Sequence, residues 1–357
     1  MGEESHGDGT TFETKTRIIK FLHEEMGFNV LAFESSFYNA EKAWEVVKKS
    51  EDPMIPLKES VFHLWAHSKE AQPLFQYIAS NVHEINPLRI TGFDCQYNAD
   101  GFFIKNSAKD ISDFFDENQI KFNDKLEENN FYGVYNRIAF KTKDSLKKFD
   151  LALFEKSIDN IILQINKIEN PKKSLFMQHF VSSRKYIQGL LEQRDNLKIN
   201  ELRDSVMAQN VLWLLNKGYP NDKIIIWAHN YHISKSNVRE NTKSMGEYLT
   251  DSLNKEKLYS VGFTAFAGEY AWFDGQYLKK IRHPIKNSFE NLFRKTNFEN
   301  LFLDLKTLSR KDEGKWLNEN MSLRFNYYYP AIKSWPLVYD ALIFNREMRR
   351  STDIKNN

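Results

Sequence analysis

Acidic and histidine side chains stand at the ends of several apolar, strand-like runs in this sequence. The three runs and the residues after them are Asn29–Phe33 with Glu34, Leu88–Phe93 with Asp94, and Lys223–Ala228 with His229, Asn230 and His232. In an open, mostly parallel α/β sheet, ligands bind beyond the carboxyl ends of the strands, where residues distant in sequence converge. The sequence therefore predicts one pocket lined by these carboxylates and imidazoles.

The first residues of the chain add two more candidates. Residues 2–7 read Gly-Glu-Glu-Ser-His-Gly and contribute Glu3 and His6, as a strand end would if the strand itself were missing. A histidine held by a carboxylate can act as a general base on water, because its unperturbed pKa of about 6.5 lies near working pH. Histidines and carboxylates can also bind a divalent metal that acidifies the water. The residues alone leave both chemistries open.

Each candidate also has an ordinary structural interpretation. A single histidine or carboxylate at a strand end more often contacts solvent or a loop than a substrate, so only the joint placement of the set favours a functional site. The sequence has no Walker A loop and no H-E-x-x-H zinc helix. Ser5 also lacks the G-x-S-x-G spacing that places a serine nucleophile on a tight elbow.

Composition indicates a folded protein with a small-molecule partner. The 357 residues are 41% hydrophobic and 27% charged, which excludes a disordered chain and allows a large core. Fifty Lys and Arg against 48 Asp and Glu give a net charge of +2, so no nucleic acid partner is expected. The 28 Phe and 16 Tyr are mainly core residues, although part of them could line a pocket for a bulky apolar ligand.

Cysteine content and hydropathy bear on location and cofactors. Cys95 is the single cysteine, which rules out an internal disulfide and a thiolate metal site and favours a reducing, cytoplasmic location. No apolar run approaches the roughly 18 residues that cross a bilayer, so no membrane partner is expected. No cofactor is predicted, apart from the divalent metal that the cluster leaves open. The oligomeric state is not predicted.

The order of elements predicts an α/β fold, with a mostly parallel central sheet flanked by helices. Apolar positions over Phe12–Met26 recur at helical spacing and Gly27 ends the helix, directly before the strand into Glu34. Residues from about Asn106 to Asn200 lose the strand-like runs and are predicted to form a helical insertion. Residues 1–357 are predicted to be one catalytic domain of the α/β hydrolase type. Later strands are predicted at Leu258–Phe266, Leu301–Leu305 and Leu337–Phe344.

Two of these segments carry a resemblance to a known family. The pattern G-E-x-x-H-G at residues 2–7, followed by a helix and the strand into Glu34, resembles the opening of the erythromycin esterase family. The pattern W-A-H-N-x-H at residues 227–232 is a second match. Further matches follow in the family's order at Trp65, residues 92–94, residues 202–207, Gly246 and residues 339–341. The resemblance covers essentially the whole chain, and its motifs are more specific for the family than for a macrolide substrate.

The resemblance implies hydrolysis of an ester, such as the lactone ring of a 14-membered macrolide, by direct attack of water. No serine nucleophile takes part. His6 would be the general base, and Glu3 and Glu34 would orient it or the water. His229 and His232 would stabilise the developing oxyanion or the leaving alkoxide.

Four further residues are expected to bind or orient the substrate or the catalytic groups: Lys15, Trp65, Asp94 and Asn230. Lys15 stands on the first helix, where the resemblance implies a basic residue, often arginine, that is salt-linked to the carboxylates. A lysine would hold them less rigidly than a bidentate arginine. The resemblance also implies a central parallel strand leading into Gly2, and its absence here predicts a gap in the sheet.

Two alternatives to this ester hydrolase remain. The same cluster could form a metal-dependent hydrolase, which metal content and inhibition by a chelator would reveal. The chain could also be a non-catalytic homologue that binds an aromatic or macrocyclic ligand. The presence of both Glu3–His6 and His229–His232 argues against a pure binding protein, which has no need of paired bases.

Overall fold

The contacts between residues divide this chain into two compact units. The structure is a computed structural model that describes residues 1–98, 102–138, 148–191, 196–236, 238–239, 242–272 and 277–354. The first unit consists of Met1–Glu34, His63–Arg89 and Asp222–Asn357, and the second of Ser35–Phe62 and Ile90–Asn221. The helical segment predicted over residues 106–200 belongs to the second unit, and its residues 139–147 and 192–195 lie outside the described residues.

The helices and strands alternate along the first unit, whereas the second is mainly helical. The strands are β1 (Phe28–Ser36), β2 (Arg89–Asp94), β3 (Lys223–Trp227), β4 (Val261–Ala271), β5 (Leu278–Lys280), β6 (Asn300–Asp304), β7 (Met321–Asn326), β8 (Tyr329–Lys333) and β9 (Ala341–Met348). The α-helices are α1 (Gly9–Met26), α2 (Phe37–Val47), α3 (Met54–Ser60), α4 (His63–Ala66), α5 (Gln72–Asn81), α6 (Phe102–Glu117), α7 (Lys125–Ile138), α8 (Leu151–Ile165), α9 (Lys173–Leu191), α10 (Asn196–Trp213), α11 (Asn230–Ile233), α12 (Met245–Ser252), α13 (Phe289–Arg294) and α14 (Leu305–Leu308).

Helix α1 ends where the sequence predicts, and it leads directly into β1. Gly27 adopts the left-handed conformation, with φ of 68°, and donates its N–H to the carbonyl of Leu22. Phe12 and Ile19 on this helix are fully buried. The helix therefore packs on the core. Its direct connection to β1 gives the alternation of helix and strand that is typical of a parallel sheet.

Two parallel pairs organise the first unit. β1 pairs with β3, in register from Leu31 opposite Ile225 to Phe33 opposite Trp227. β4 pairs in parallel with β9 and antiparallel with β5, and β6 runs antiparallel to β9. The predicted α/β class, with parallel strands and flanking helices, is confirmed, and antiparallel strands stand at the edges of the four-stranded sheet.

Some elements differ from the sequence-based expectation. β9 begins at Ala341 instead of near Leu337, because residues Trp335–Leu337 form a 3-10 turn. The short strand β5 and the β7–β8 hairpin were not predicted. None of the described helices has both the length and the apolar character needed to cross a bilayer.

Candidate active site

Glu3 is held by an extended segment that lies between β3 and β4. The carbonyl of Glu3 accepts the N–H of Asn230 at 2.8 Å, just beyond the end of β3. On the other side, the N–H of Gly2 donates to the carbonyl of Val261 in β4 at 2.8 Å. The predicted gap in the sheet is therefore occupied by the first three residues, which fix the backbone of Glu3 from two directions.

Asn230 explains why the residue before Glu3 is a glycine. Its side-chain Nδ2 donates to the carbonyl of Phe263 at 2.7 Å, and its Oδ1 accepts the Phe263 N–H at 3.0 Å. A Cβ on Gly2 would lie 2.0 Å from this Oδ1, so any larger residue would displace the amide. The Asn230 side chain thus makes the two hydrogen bonds with β4 that the backbone of a neighbouring strand would otherwise make.

Replacing Asn230 by alanine is expected to destabilise the protein by about 2–4 kcal/mol, because it leaves a buried N–H and a buried carbonyl of Phe263 without partners. Urea unfolding of the variant measures this loss. Asn216, an exposed asparagine whose Nδ2 donates to the carbonyl of Leu212 at 2.8 Å, provides the matched control, and Asn216→Ala should cost less than about 1 kcal/mol. Equal losses in both variants would contradict the role given to Asn230.

The carboxylate of Glu3 is buried and accepts from three donors. Nζ of Lys15 lies 2.7 Å from its Oε2. Nε1 of Trp65 donates to Oε1 at 3.0 Å, and Nδ1 of His6 lies 2.8 Å from the same oxygen. Charge-assisted bonds of this kind are short and hold the carboxylate in one orientation. The sequence-based set Glu3, His6, Lys15 and Trp65 is thus brought into direct contact.

Lys15 is a fully buried cation on α1. Its Nζ lies 4.1 Å from the centre of the Trp227 ring as well as on Glu3. Burial lowers the pKa of Lys15, while the charge of Glu3 acts in the opposite direction. The negative charge of Glu3 therefore favours the charged form of the buried Lys15 side chain.

His6 is oriented by its bond to Glu3. Because an ionised carboxylate only accepts hydrogen bonds, Nδ1 of His6 carries the proton, which makes Nε2 the basic nitrogen of the neutral ring. The ring also meets the edge of Trp65 at a centroid distance of 5.4 Å. The His6 side chain retains 15% exposure, whereas Glu3 has none. This arrangement gives a partly accessible imidazole with a buried carboxylate behind it.

Glu34, near the end of β1, forms a second carboxylate–histidine pair. Its Oε2 accepts the backbone N–H of His229 at 3.0 Å, and its Oε1 lies 3.2 Å from Nε2 of His232. The rings of His6 and His229 are 5.7 Å apart, and those of His229 and His232 are 6.3 Å apart. The strand ends thus bring the two pairs together, as the sequence pattern predicts.

Both ring nitrogens of His229 are engaged by the backbone. Nδ1 accepts the N–H of Tyr231 at 3.1 Å, so Nε2 carries the proton and donates to the carbonyl of Glu4 at 2.8 Å. Burial and the two neighbouring histidines hold the pKa of His229 well below its usual value. His229 is therefore a neutral residue that positions its neighbours, and in this conformation neither nitrogen is available to an oxyanion.

Asp94 belongs to the second unit, where protein donors hold its carboxylate. Arg203 forms a bidentate pair with it, at 3.1 Å from Nε to Oδ1 and 2.7 Å from Nη2 to Oδ2. Nδ2 of Asn98 also donates to Oδ2 at 2.9 Å. These bonds fix the loop after β2. The contacts of Asp94 thus differ from those of the cluster around Glu3.

Two acidic residues of the site were missed by the sequence reasoning. Glu4 is fully buried, and its Oε2 accepts the backbone N–H of Tyr328 at 2.9 Å. Asp8 is also buried, and its Oδ2 accepts the N–H groups of Glu4 and Ser5. Burial raises the pKa of Glu4 well above its usual value and that of Asp8 to about 8. No spacing rule separates these carboxylates from surface residues, and the partner of the Glu4 carboxyl, Tyr328, lies far along the chain.

Metal binding is the second chemistry that the residues of this cluster left open. Across the described ranges, no group of three or more His, Cys, Asp and Glu side chains is placed to hold a metal ion. Glu3, which would be a natural ligand, instead faces the ammonium of Lys15. What the arrangement offers is an imidazole that can accept a proton and a buried carboxylate that stabilises it.

Sequence comparisons match nearly all of this chain. A model of the erythromycin esterase family matches residues 23–348. YbfO of Bacillus subtilis (strain 168), a protein named as a hydrolase, is 26% identical over 381 residues, which cover 99% of this chain and 84% of YbfO.

Solved structures share the fold over 98% of the chain. A Bacillus cereus protein matches with a TM-score of 0.79 at 19% identity over 88% of its length. A succinoglycan biosynthesis protein matches with a TM-score of 0.77 at 19% identity over 87% of its length. An erythromycin esterase mutant in its open conformation matches with a TM-score of 0.71 at 16% identity over 90% of its length.

Proposed function

Because this chain belongs to the erythromycin esterase family and is a hydrolase of that family, we propose that it cleaves a carboxylic ester with a water molecule activated by His6. The observation that carries the proposal is the buried Glu3 carboxylate, which fixes the His6 ring at 2.8 Å and is itself held by Lys15 and Trp65. General-base catalysis requires this combination of a basic nitrogen and an orienting group.

The reaction begins at Nε2 of His6. This nitrogen takes a proton from water while the water oxygen attacks the ester carbonyl carbon, which produces a tetrahedral intermediate and an imidazolium. The negative charge of Glu3 stabilises the imidazolium at Nδ1. When the intermediate collapses, the imidazolium returns the proton to the leaving alcohol, so that acid and alcohol are formed and His6 regains its neutral form.

Glu34 and His232 supply the second part of the mechanism. The Glu34 carboxylate lies 3.2 Å from Nε2 of His232 and orients its ring. An imidazole that donates a hydrogen bond can stabilise the oxyanion as it develops. We assign this role to His232 rather than to His229, because the ring nitrogens of His229 bind the backbone.

The substrate class that we propose is a macrolide-type lactone or a related ester, hydrolysed in the cytoplasm without a bound cofactor. The rival with a catalytic metal is less well supported, because Lys15 occupies the place at Glu3 where a cation would bind. A non-catalytic binding protein would not require a histidine whose accessible ring is backed by a buried carboxylate.

Incubation of the protein with a panel of macrolides and aryl esters tests this function, with mass spectrometry used to detect the addition of one water. Reaction in H₂¹⁸O should place the label in the acid product, and a single-turnover experiment should show no covalent acyl-enzyme. Loss of turnover after treatment with a chelator, restored by a divalent metal, would favour the metal-dependent alternative.

Replacing Glu34 by glutamine is expected to lower turnover by about tenfold to a hundredfold while changing the melting temperature little. The amide retains an oxygen for the His229 N–H, but the variant loses the negative charge that lies 3.2 Å from Nε2 of His232 beside the reaction centre. Steady-state kinetics and thermal unfolding of the same preparation separate the two effects. A large fall in melting temperature would assign Glu34 to structure rather than to catalysis.

A further inference from the structure

A cleft of about 430 Å³ lies in the first unit, and most of its charged lining residues are cations. It is formed by the end of β5, the residues that follow it and the β7–β8 hairpin. Lys279, Lys280, Arg282 and Arg324 line it, whereas Glu290 is the one carboxylate among its described lining residues. The chain as a whole is nearly balanced in charge, with a net charge of +2, so this excess of cations is local.

Arg324 gives the cleft a fixed positive charge. It is only 3% exposed, and its Nη1 donates to the carbonyls of Ala265 and Phe266 at 2.8 and 3.0 Å. Nη2 donates to the carbonyl of Arg282. Backbone carbonyls satisfy the hydrogen bonds of a guanidinium without neutralising its charge. The carboxylate of Glu290 interacts with the same guanidinium, so Arg324 contributes part of its charge to the cleft.

Two buried acidic groups, Glu4 and Asp8, lie close to this wall. Burial raises the pKa of Glu4 well above its usual value and that of Asp8 to about 8, so burial disfavours the charged form of both carboxyls. Lys280 and Arg282, by contrast, are exposed and can approach a ligand. Among its described lining residues, the cleft thus has four Lys and Arg side chains against the single carboxylate of Glu290.

A strained turn connects the cleft to the active site. Tyr327 and Tyr328, at the tip of the β7–β8 hairpin, have φ of 52° and 61°, a region that bulky residues rarely adopt. Strain of this type costs about 1–3 kcal/mol per residue and persists only where surrounding contacts impose it. Here the N–H groups of both tyrosines are bound by Glu4, one by its carbonyl and one by its carboxyl.

Because of this turn, Tyr327 contacts His229 of the active site and also lines the cleft. Its ring lies 5.0 Å from that of His229, which in turn lies 5.7 Å from His6. The same tyrosine lines the cationic cleft and packs against Trp272 at 4.4 Å. Two ring contacts, Tyr327 with His229 and His229 with His6, therefore link the wall of the cleft to the catalytic imidazole.

We propose that this cleft binds a carboxylate or phosphate group of the substrate, so that the enzyme prefers esters that carry a negative charge remote from the reacting bond. The inference rests on the proposed ester hydrolysis and narrows its substrate class. Lys280 and Arg282 would contact the anion directly, Arg324 would act through its fixed charge, and the tyrosines would pack against the part of the substrate that joins the anion to the ester.

The test compares two 4-nitrophenyl esters that have the same leaving group, the neutral butyrate and the anionic monoglutarate. The wild-type enzyme should hydrolyse the anionic ester with the higher kcat/KM. In the double variant Lys280→Glu/Arg282→Glu, the ratio of the two kcat/KM values should fall at least tenfold, mainly through KM of the anionic ester. Glutarate and inorganic phosphate, used as inhibitors, show which anion the cleft favours.

Lys286→Glu/Lys295→Glu is the matched control, because both residues are exposed, neither lines the cleft, and the total charge changes equally. Its substrate ratio should remain that of the wild type. The inference is overturned if the wild type shows no preference for the anionic ester, or if both double variants alter the ratio alike.

A binding measurement separates this inference from the proposed function. If no ester is hydrolysed, the proposed function fails. Calorimetry with glutarate and with phosphate still tests whether the cleft binds an anion. Binding that is weakened at least tenfold by Lys280→Glu/Arg282→Glu, and not by the control variant, would support an anion site. Absence of binding by the wild type would refute it.

Discussion

Replacing His6 by alanine is expected to lower kcat about 10²–10⁴-fold with little change in substrate affinity, since general bases contribute rate enhancements of this size. The ring is 15% exposed, and Glu3 keeps Lys15 and Trp65 as donors when His6 is removed, so we expect only a small fall in melting temperature. The measurement is kcat and KM on whichever ester the panel identifies, together with the melting temperature.

Ser5→Ala is the control for the His6 variant, because it tests the neighbouring hydroxyl as a nucleophile. The Oγ of Ser5 is buried and donates to the carbonyl of Ala271 at 2.6 Å, so the variant should lose some stability and retain most of its turnover. An acyl group trapped on Ser5, or a fully active His6→Ala enzyme, would refute attack by water activated at His6.

Replacing Lys15 by methionine is expected to destabilise the protein by about 3–5 kcal/mol, because it removes one partner of a fully buried ion pair and leaves Glu3 charged in a dry environment. This loss is a large fraction of the 5–15 kcal/mol that stabilises a typical domain. Turnover should fall as well, since Glu3 would no longer be held in one orientation. Urea unfolding and kinetics on the folded fraction measure the two effects.

Two variants on the same helix control for the loss of a long cationic side chain. Arg17→Met removes an exposed cation from α1 and should change the free energy of unfolding by less than about 0.5 kcal/mol. Lys15→Arg keeps the charge but has to fit a larger planar group against Trp227. A Lys15→Met protein as stable as the wild type would show that Trp65 and His6 alone are enough to support the Glu3 carboxylate.

The elements around the catalytic residues could be predicted from sequence because their signals are local. β1 and β3 are apolar runs bounded by polar residues, and Gly27 marks the end of α1. The β7–β8 hairpin was not predicted because its turn contains Tyr327 and Tyr328 at positive φ. Asparagine and glycine are the usual residues at such positions.

The same distinction applies to the site. Glu3, His6, Glu34 and His229 could be found because each follows an apolar run or stands in a recognisable motif. The contacts of His229 with Glu4 and Tyr231 could not be found, because hydrogen bonds of ring nitrogens with backbone groups leave no trace in residue types. From the sequence, Asn230 was expected to bind or orient the substrate or the catalytic groups. In the structure, its side-chain amide pairs with the backbone of Phe263.

The N-terminal segment that carries Glu3 and His6 has a consequence for the timing of assembly during synthesis. Its hydrogen-bond partners lie in residues 228–230, at Val261, at Ala271, at Tyr327 and Tyr328, and near the end of the chain, where the N–H of Ser351 donates to the carbonyl of Gly7. Because a chain is made from its N-terminus, Glu3 and His6 leave the ribosome long before Asn230 and Val261, whose backbone bonds hold the segment in place. A ribosome-bound chain stalled before β4 should therefore be inactive, although every proposed catalytic residue has already been synthesised.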